Sequence, residues 1–440
     1  LLSQAYKTSI LLVTAMIRSL SFVLLVTLLF HSQKLEAQFL DLPPLRDLPR
    51  IDRTSPRPDP SVLRNSAFIL KMKTHLVSGK GYVILTDHDS PEFLSAIDKL
   101  SEYRNGEILR LDDLGSVTEI GGRTSLQKRL LELNPMYVAV APKMDSYREN
   151  VLLGLWEVFS SLDKDPFIDV YPGILLASNA ENFQRLIDRC INYQTIPQKA
   201  LRPMAISQVP SVMETRSLQK AGILREMFAE YGLNTPAIAV YTPAAKNAAK
   251  LEGKDLWNVH LTSKGDYLES FSAKPERALK AAQLVVMHGH GIPGMSCSID
   301  INGIPSNSAN RIVLTGSCFS AVPVKSDLPR LSSAPGGYKV DARPAFALEY
   351  LDKEAVVFFG HMRLSSGFPH LFPVLENWMQ GKSVGVAYQE LLNAIIDMRG
   401  FRAGEFVVPT PVTQRGIRQN SMLYVIFGDP AIRPFEKLEK

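Results

Sequence analysis

Leu284-Val285-Val286-Met287-His288-Gly289-His290-Gly291 and Arg311-Ile312-Val313-Leu314-Thr315-Gly316-Ser317-Cys318 share one layout: a short apolar run that breaks into small and reactive residues. Runs this short, bounded by glycine, suit buried parallel strands better than helices. In open α/β sheets the loops at the carboxyl ends of the strands converge on a crevice, so sites form there. A histidine and a cysteine leaving the ends of neighbouring strands can meet. Their chemistry rewards the meeting, because a thiolate attacks a carbonyl carbon and an imidazole supplies the proton that the departing amine needs. The backbone N–H groups of Gly291 and Cys318 are the candidate oxyanion donors. Glycines beside both groups would let a substrate backbone come close.

The stretches on either side repeat an alternation of strand and helix. Tyr82-Val83-Ile84-Leu85 reads as a strand, followed by a helix with Ser90 as N-cap, Pro91 at its first position and Leu94, Ile97 and Leu100 on one face. An amphipathic stretch over Leu126 to Leu133, a strand at Tyr137 to Val140, a strand near Val170 to Leu176 and a helix carrying Phe183, Leu186, Ile187 and Cys190 continue it. Between about 195 and 212 the periodicity lapses among Pro197, Pro203 and Pro210, which marks a boundary. Beyond it come a helix from about Val212 to Tyr231 closed by Gly232, and strands at Ala237 to Tyr241, Leu284 to Met287, Ile312 to Leu314 and Val356 to Phe359. Helices at Leu371 to Met379 and Val384 to Ile396 and a last strand at Leu423 to Phe427 complete the pattern. Such alternation predicts an α/β fold with largely parallel sheets covered on both faces, arranged as two αβα-sandwich subdomains, 66–205 and 206–440.

The chain has 440 residues, 45% of them hydrophobic, which is enough for sizeable cores and excludes a disordered chain. Its 49 basic residues against 44 acidic ones leave a net charge of +5 with no long basic block, so nucleic acid is not expected as a partner. Met16 to Ala37 has the layout of a secretory signal peptide: Arg18, an apolar core from Phe22 to Phe30, and a small residue at the end. That core is shorter than the roughly 20 residues of a membrane span. An exported, secreted or cell-envelope protein beginning near Gln38 is expected, with 1–15 set aside as an over-extended start or a fragment end. The Pro-rich and charged segment from 38 to 65 reads as a linker. Three cysteines cannot all pair within the chain, and a thiol left over in an exported protein invites chemistry.

A hydrophobic block ending in His-Gly, then a second ending in a small residue and Cys, is similar to the signature of the caspase, legumain, clostripain and gingipain peptidases. The chain resembles the gingipain family most, over about 80 to 435. Gly289-His290-Gly291 resembles that family's Gly-His-Gly. Ile168-Asp169-Val170 with Gly173, and the helix ending at Tyr193, resemble its Pro-Asp-Val…Gly-Arg segment. Ala355 to Gly360 resembles the strand after its Cys loop, and Phe427-Gly428-Asp429-Pro430 its closing Gly-Asp-Pro. The resemblance implies a caspase/gingipain-like fold and a cysteine-type endopeptidase acting on protein or peptide substrates, with Cys318 as nucleophile and His290 as acid/base. No metal or cofactor is expected. The same machinery would serve a transpeptidase if an amine accepted the acyl group, and a catalytically silent binding or assembly module is the alternative of another class.

Departures from the family pattern are Ile174, where an Arg is usual, and Thr315-Gly316-Ser317 ahead of the Cys. The first bears on substrate binding and the second on the oxyanion hole. Asp163, Asp165 and Asp169 are candidates for the acidic partner of the histidine, without a clean motif match. His288 rivals His290, because alternation along a strand points both imidazoles to one face. Cys190 lies on the apolar stripe of a helix and reads as core, and Cys297 sits in the loop after His290. Zinc held by His288, His290 and Cys318 lacks an evident fourth ligand. The GHGIPG loop lacks the spacing of a phosphate-binding fingerprint.

Overall fold

The structure is a computed structural model that describes residues 69–209, 216–233, 235, 237–241, 260–261, 267–268, 276–297, 299–309, 311–322, 346–365, 367–402, 404–407 and 417–440. The leader-like segment 16–37 and the linker 38–65 lie outside the described residues. All the described residues belong to one compact unit. Among them, no helix is long and apolar enough to cross a membrane.

In chain order the main elements are β1 (Tyr82–Thr86), α1 (Pro91–Arg104), β2 (Glu107–Arg110), α2 (Ile120–Leu133), β3 (Tyr137–Ala141), α3 (Glu149–Phe159), β4 (Tyr171–Ile174) and α4 (Ala180–Ile191). There follow β5 (Pro203–Val209), α5 (Arg216–Ala229), β6 (Ala237–Tyr241), β7 (His260–Leu261), β8 (Tyr267–Leu268), α6 (Glu276–Ala281) and β9 (Leu284–His288). A small hairpin group comes next: β10 (Gly291–Ile292), β11 (Met295–Ser296) and β12 (Ile299–Asp300). The chain continues with β13 (Ile312–Thr315), α7 (Phe346–Lys353), β14 (Val357–His361), α8 (Phe368–Met379), α9 (Val384–Arg399), α10 (Ile417–Ser421) and β15 (Tyr424–Phe427).

Local chemistry sets several of these boundaries. Ser90 caps α1 by accepting the Phe93 N–H, Pro91 opens the helix, and Asn105 ends it in the left-handed region with φ 48°. Ser383 caps α9 in the same way and Gly400 closes it. Strands β1, β9, β13 and β14 are apolar and buried along nearly their whole length, as strands covered on both faces must be.

Twelve of the strands form one sheet, in the order β2-β1-β3-β4-β15-β14-β13-β9-β5-β6-β7-β8. Within β2-β1-β3-β4 every pairing is parallel, and so is every pairing within β14-β13-β9-β5-β6. The last strand, β15, joins the two sets. It runs parallel to β4, with Phe427 opposite Ile174, and antiparallel to β14, with Phe359 opposite Ile426. The two parallel sets therefore run in opposite directions within a single sheet. The carboxyl ends of β9 and β13 lie on the edge where β4 begins. Helices cover both faces, because the right-handed crossovers of α1 and α2 lead from β1 and β2 in opposite directions across the sheet.

The stretch around 195–212, expected to be a break, contains β5, which lies between β9 and β6. Pro203 is tolerated because it occupies the first strand position. The apolar run Met204-Ala205-Ile206 is short, and the buried Ser207 and Gln208 behind it hide the strand from a hydrophobicity reading. The boundary placed at 205/206 falls inside this strand, and the strands on either side of it share the one sheet.

The Gly173 and Gly428–Pro430 segments, far apart in the chain, meet at the junction. A Cβ on Gly173 would collide with the Gly428 carbonyl oxygen and lie 2.8 Å from Pro430 Cδ. Asp429 is fully buried; it accepts from Tyr82 Oη at 3.0 Å and from Arg104 Nε at 2.9 Å. This carboxylate ties β15 to β1 and α1. Removing it leaves a mostly buried guanidinium without its counter-ion, so Asp429→Ala should cost about 3 kcal/mol of stability. A denaturant midpoint unchanged from the wild type would contradict that role.

Candidate active site

β9 and β13 are parallel neighbours with Thr315 opposite Met287, and Gly316 N–H donates to the Met287 carbonyl at 2.9 Å. The register brings His288, the last residue of β9, level with the start of the Cys318 loop. Cys318, His290 and Gly291 thus leave the same edge of adjacent strands.

The closest approach is main chain on main chain. A Cβ on Gly291 would collide with the Cys318 carbonyl oxygen, lie 2.6 Å from Ser317 Cβ and 3.3 Å from Cys318 N. Glycine at 291 lets the two loops touch, and the two expected oxyanion residues come side by side. Gly289 does similar work on the other side, where a Cβ would lie 2.5 Å from Gln208 Cβ. These glycines make room for the protein's own neighbours, the Cys318 loop and Gln208. The main chain of His290 is held at both ends: its N–H donates to Gln208 Oε1 at 2.6 Å and its carbonyl accepts the Cys297 N–H at 2.9 Å. Its side chain is exposed, whereas His288 is half-buried. The His288 ring fills the space left by two glycines: Nδ1 lies 3.3 Å from where a Cβ of Gly316 or of Gly367 would sit.

All three cysteines are free, and only Cys318 is not buried. Burial pushes the Cys190 thiol up to about 12 and the Cys297 thiol up to about 11. Both are poor nucleophiles in consequence. The Cys318 turn is held from several directions. Phe319, at φ 55°, sits in the left-handed region that side chains avoid. Its N–H donates to the Arg363 carbonyl at 2.8 Å, and the Ala321 N–H donates to the His361 carbonyl at 3.0 Å. Ser320 Oγ donates to the Ser317 carbonyl at 2.9 Å and accepts the His361 N–H at 3.1 Å. Ser365 N–H donates to Cys318 Sγ at 3.3 Å.

The polar residues ahead of Cys318 have partners in the hairpin that follows His290. Ser296 Oγ lies 2.7 Å from Ser317 Oγ and 2.9 Å from Thr315 Oγ1, and Cys297 Sγ lies 3.6 Å from Ser317 Oγ. This buried cluster fastens the β10–β12 hairpin to the end of β13, so the departure at 315–317 is matched by Ser296. The other departure, Ile174, is buried at the carboxyl end of β4. Since β4 runs against β13, Ile174 lies at the edge of the sheet opposite Cys318.

The three candidate acidic partners of the histidine surround a different imidazole. His75 Nε2 lies 3.2 Å from Asp169 Oδ1 and 3.9 Å from Asp163 Oδ2, and His75 Nδ1 lies 3.6 Å from Asp165 Oδ2. The four donor atoms are within 4.8 Å of one another, as cation ligands could be. The group precedes β4 on the same edge as Cys318, but β15 and β14 intervene, or roughly 14 Å of sheet. Burial, and then the charge of Asp163, push the Asp169 carboxyl from 3.8 up to about 7, against the lowering effect of His75.

Four residues at these sites carry no sequence signal: Gln208, hidden in the unassigned β5; Arg363 and Ser365, after β14; and His75, ahead of β1. The chain matches no protein-family model and no curated protein.

Gly291→Ala should push the two loops apart and lower stability by about 1–3 kcal/mol, as overpacking does; an unchanged melting temperature would contradict the contact. Asp169 gives a pH signature. Its folded value lies above its unfolded one, so the stability it contributes is full below about pH 4 and is lost as pH rises through about 7. The melting temperature of Asp169→Asn should therefore rise above that of the wild type progressively between about pH 4 and pH 8. Parallel melting curves over that range would contradict the account.

Proposed function

We propose that this chain is an exported cysteine-type endopeptidase of a gingipain-like, caspase-type fold. Cys318 is the nucleophile and His290 its acid/base partner. The observation that carries the reading is the packing of the Gly291 main chain on that of Cys318 at the carboxyl ends of adjacent parallel strands. It supports a site in which the thiol, the imidazole and two backbone amides share one small crevice. Exposure supports the choice of cysteine, since Cys318 is the one thiol that solvent and substrate can reach.

In the proposed reaction the Cys318 thiolate adds to the peptide carbonyl carbon, and the amides of Gly291 and Cys318 stabilise the oxyanion. The C–N bond then breaks as His290 delivers a proton to the departing amine. Water, deprotonated by His290, hydrolyses the thioester and restores the thiol. His290 suits this role because its main chain is fixed by Gln208 and Cys297 while its imidazole is left exposed toward a leaving group. His288, half-buried against Gly316 and Gly367, serves as a wedge that shapes the site.

Cys318→Ala should abolish hydrolysis of peptide amides and esters while leaving the fold intact. His290→Ala should cost about 100- to 10,000-fold in rate, as loss of a positioned acid/base does, and His288→Ala should cost less. Turnover that persists in the Cys318 variant would remove this thiol from the mechanism. A larger loss in the His288 variant, with both variants folded, would move the acid/base role to His288.

A further inference from the structure

The segment that follows β14 is tied to the Cys318 loop and to the core at almost every residue. The Arg363 N–H donates to His361 Nδ1 at 2.9 Å, and the Arg363 carbonyl accepts the Phe319 N–H. The Leu364 carbonyl accepts Asn420 Nδ2 at 2.8 Å. The Ser365 N–H points at Cys318 Sγ, and Ser365 Oγ accepts the Gly367 N–H at 2.8 Å and lies 3.1 Å from Tyr424 Oη.

Tyr424 is the anchor of this chain of contacts. It is buried in β15, stacked on His370 with ring centroids 4.5 Å apart and on Phe359 at 5.5 Å, and edge-on to His361 at 4.3 Å. Burial pushes His361 down to about 4 and His370 to about 3, so both rings are neutral near pH 7 and hold Tyr424 by packing rather than by charge. The His361 tautomer follows from its partners: Nδ1 accepts from Arg363, so Nε2 carries the proton and donates it to the Asn420 carbonyl at 2.9 Å.

An N–H aimed at sulfur favours the thiolate over the thiol, because a donor stabilises the charged acceptor more than the neutral one. Its value depends on being held in place, and a serine on a loop would ordinarily wander. Here the hydroxyl is held by the Gly367 amide and by a phenol fixed in the core. We infer that Ser365 is a positioning residue for the Cys318 thiolate, its amide held on the sulfur by the hydrogen bond between its hydroxyl and Tyr424. The inference deepens the peptidase reading and rests on it for its catalytic meaning.

Among the described residues, the titratable and charged groups on the elements around the thiol include His288 on β9, His290 and Cys297 in the hairpin that follows, His361 at the end of β14, Arg363 with its partner Glu149 at 2.6 Å, His370 on α8 and Tyr424 on β15. None of them is altered in the Ser365 variants below, so a shift there reports the serine. Iodoacetamide alkylation of the full-length chain, with Cys318 followed by peptide mass mapping from about pH 5 to pH 10, reads the thiolate directly.

Ser365→Ala and Tyr424→Phe should both raise the pH midpoint of alkylation and slow it about tenfold at neutral pH, which corresponds to one unit. Ser365→Thr, which keeps the hydroxyl, should stay near the wild type. A role in folding alone would move melting temperatures and leave these midpoints in place. Tyr424→Phe keeps the ring stack, so it carries the test if Ser365→Ala fails to fold. Wild-type midpoints in folded Ser365→Ala or Tyr424→Phe, or equal shifts in the Ala and Thr variants, would overturn the inference. Shifted midpoints in a chain that cleaves no peptide would leave Ser365 in its role and overturn the peptidase reading instead.

Discussion

The parallel pairing of β9 with β13 is the constraint on which the rest of the site depends. With Thr315 opposite Met287, both strands end at the same level and their loops must pass each other. Only a residue without a side chain can stand where they cross, and Gly291 stands there. Slipping the register by one residue would send each side chain of the displaced strand to the opposite face of the sheet, against helices packed for other residues. It would also separate the Gly291 and Cys318 amides. Core packing and site geometry are thus set by one ladder of hydrogen bonds, and neither can drift without the other.

A second constraint comes from the end of the chain. β15 lies between β4 and β14 and joins two parallel sets that run in opposite directions. It fastens one set through Asp429, which reaches Tyr82 and Arg104, and braces the other through Tyr424, which reaches Ser365. The Cys318 loop is therefore braced by β15 through Ser365. Because β15 pairs across such sequence distances, its closure is a non-local step, of the kind that slows folding.

Much of this architecture was legible in the sequence, and the reasons are physical. Apolar runs as dense as Leu284 to Met287 and Ile312 to Leu314 admit few alternatives, and Ser90-Pro91 announces its helix. The residues ending the first two runs pointed to one crevice because strand ends converge. β5 was missed because Ser207 and Gln208 are buried polar residues whose partners lie on other strands and loops, which no local pattern reveals. The carboxylates at 163, 165 and 169 invited pairing with the site's histidine, yet the chain ahead of β1 brings His75 to them first. Ser365 was invisible for a similar reason: its meaning comes from Tyr424, far along the chain, and from a sulfur it meets only in the fold. The polar residues at 315 and 317 looked like departures until Ser296 appeared opposite them.

In the proposed reaction Cys318 forms a covalent bond to the acyl half of a peptide. Acid quenching of the wild-type chain within its first turnovers of a peptide ester, followed by mass mapping, tests this directly, because a thioester survives acid. The acyl group is expected on Cys318, lost on longer incubation and not formed without substrate. Steady turnover with no acyl group on Cys318, or with the acyl group on another residue, would contradict it.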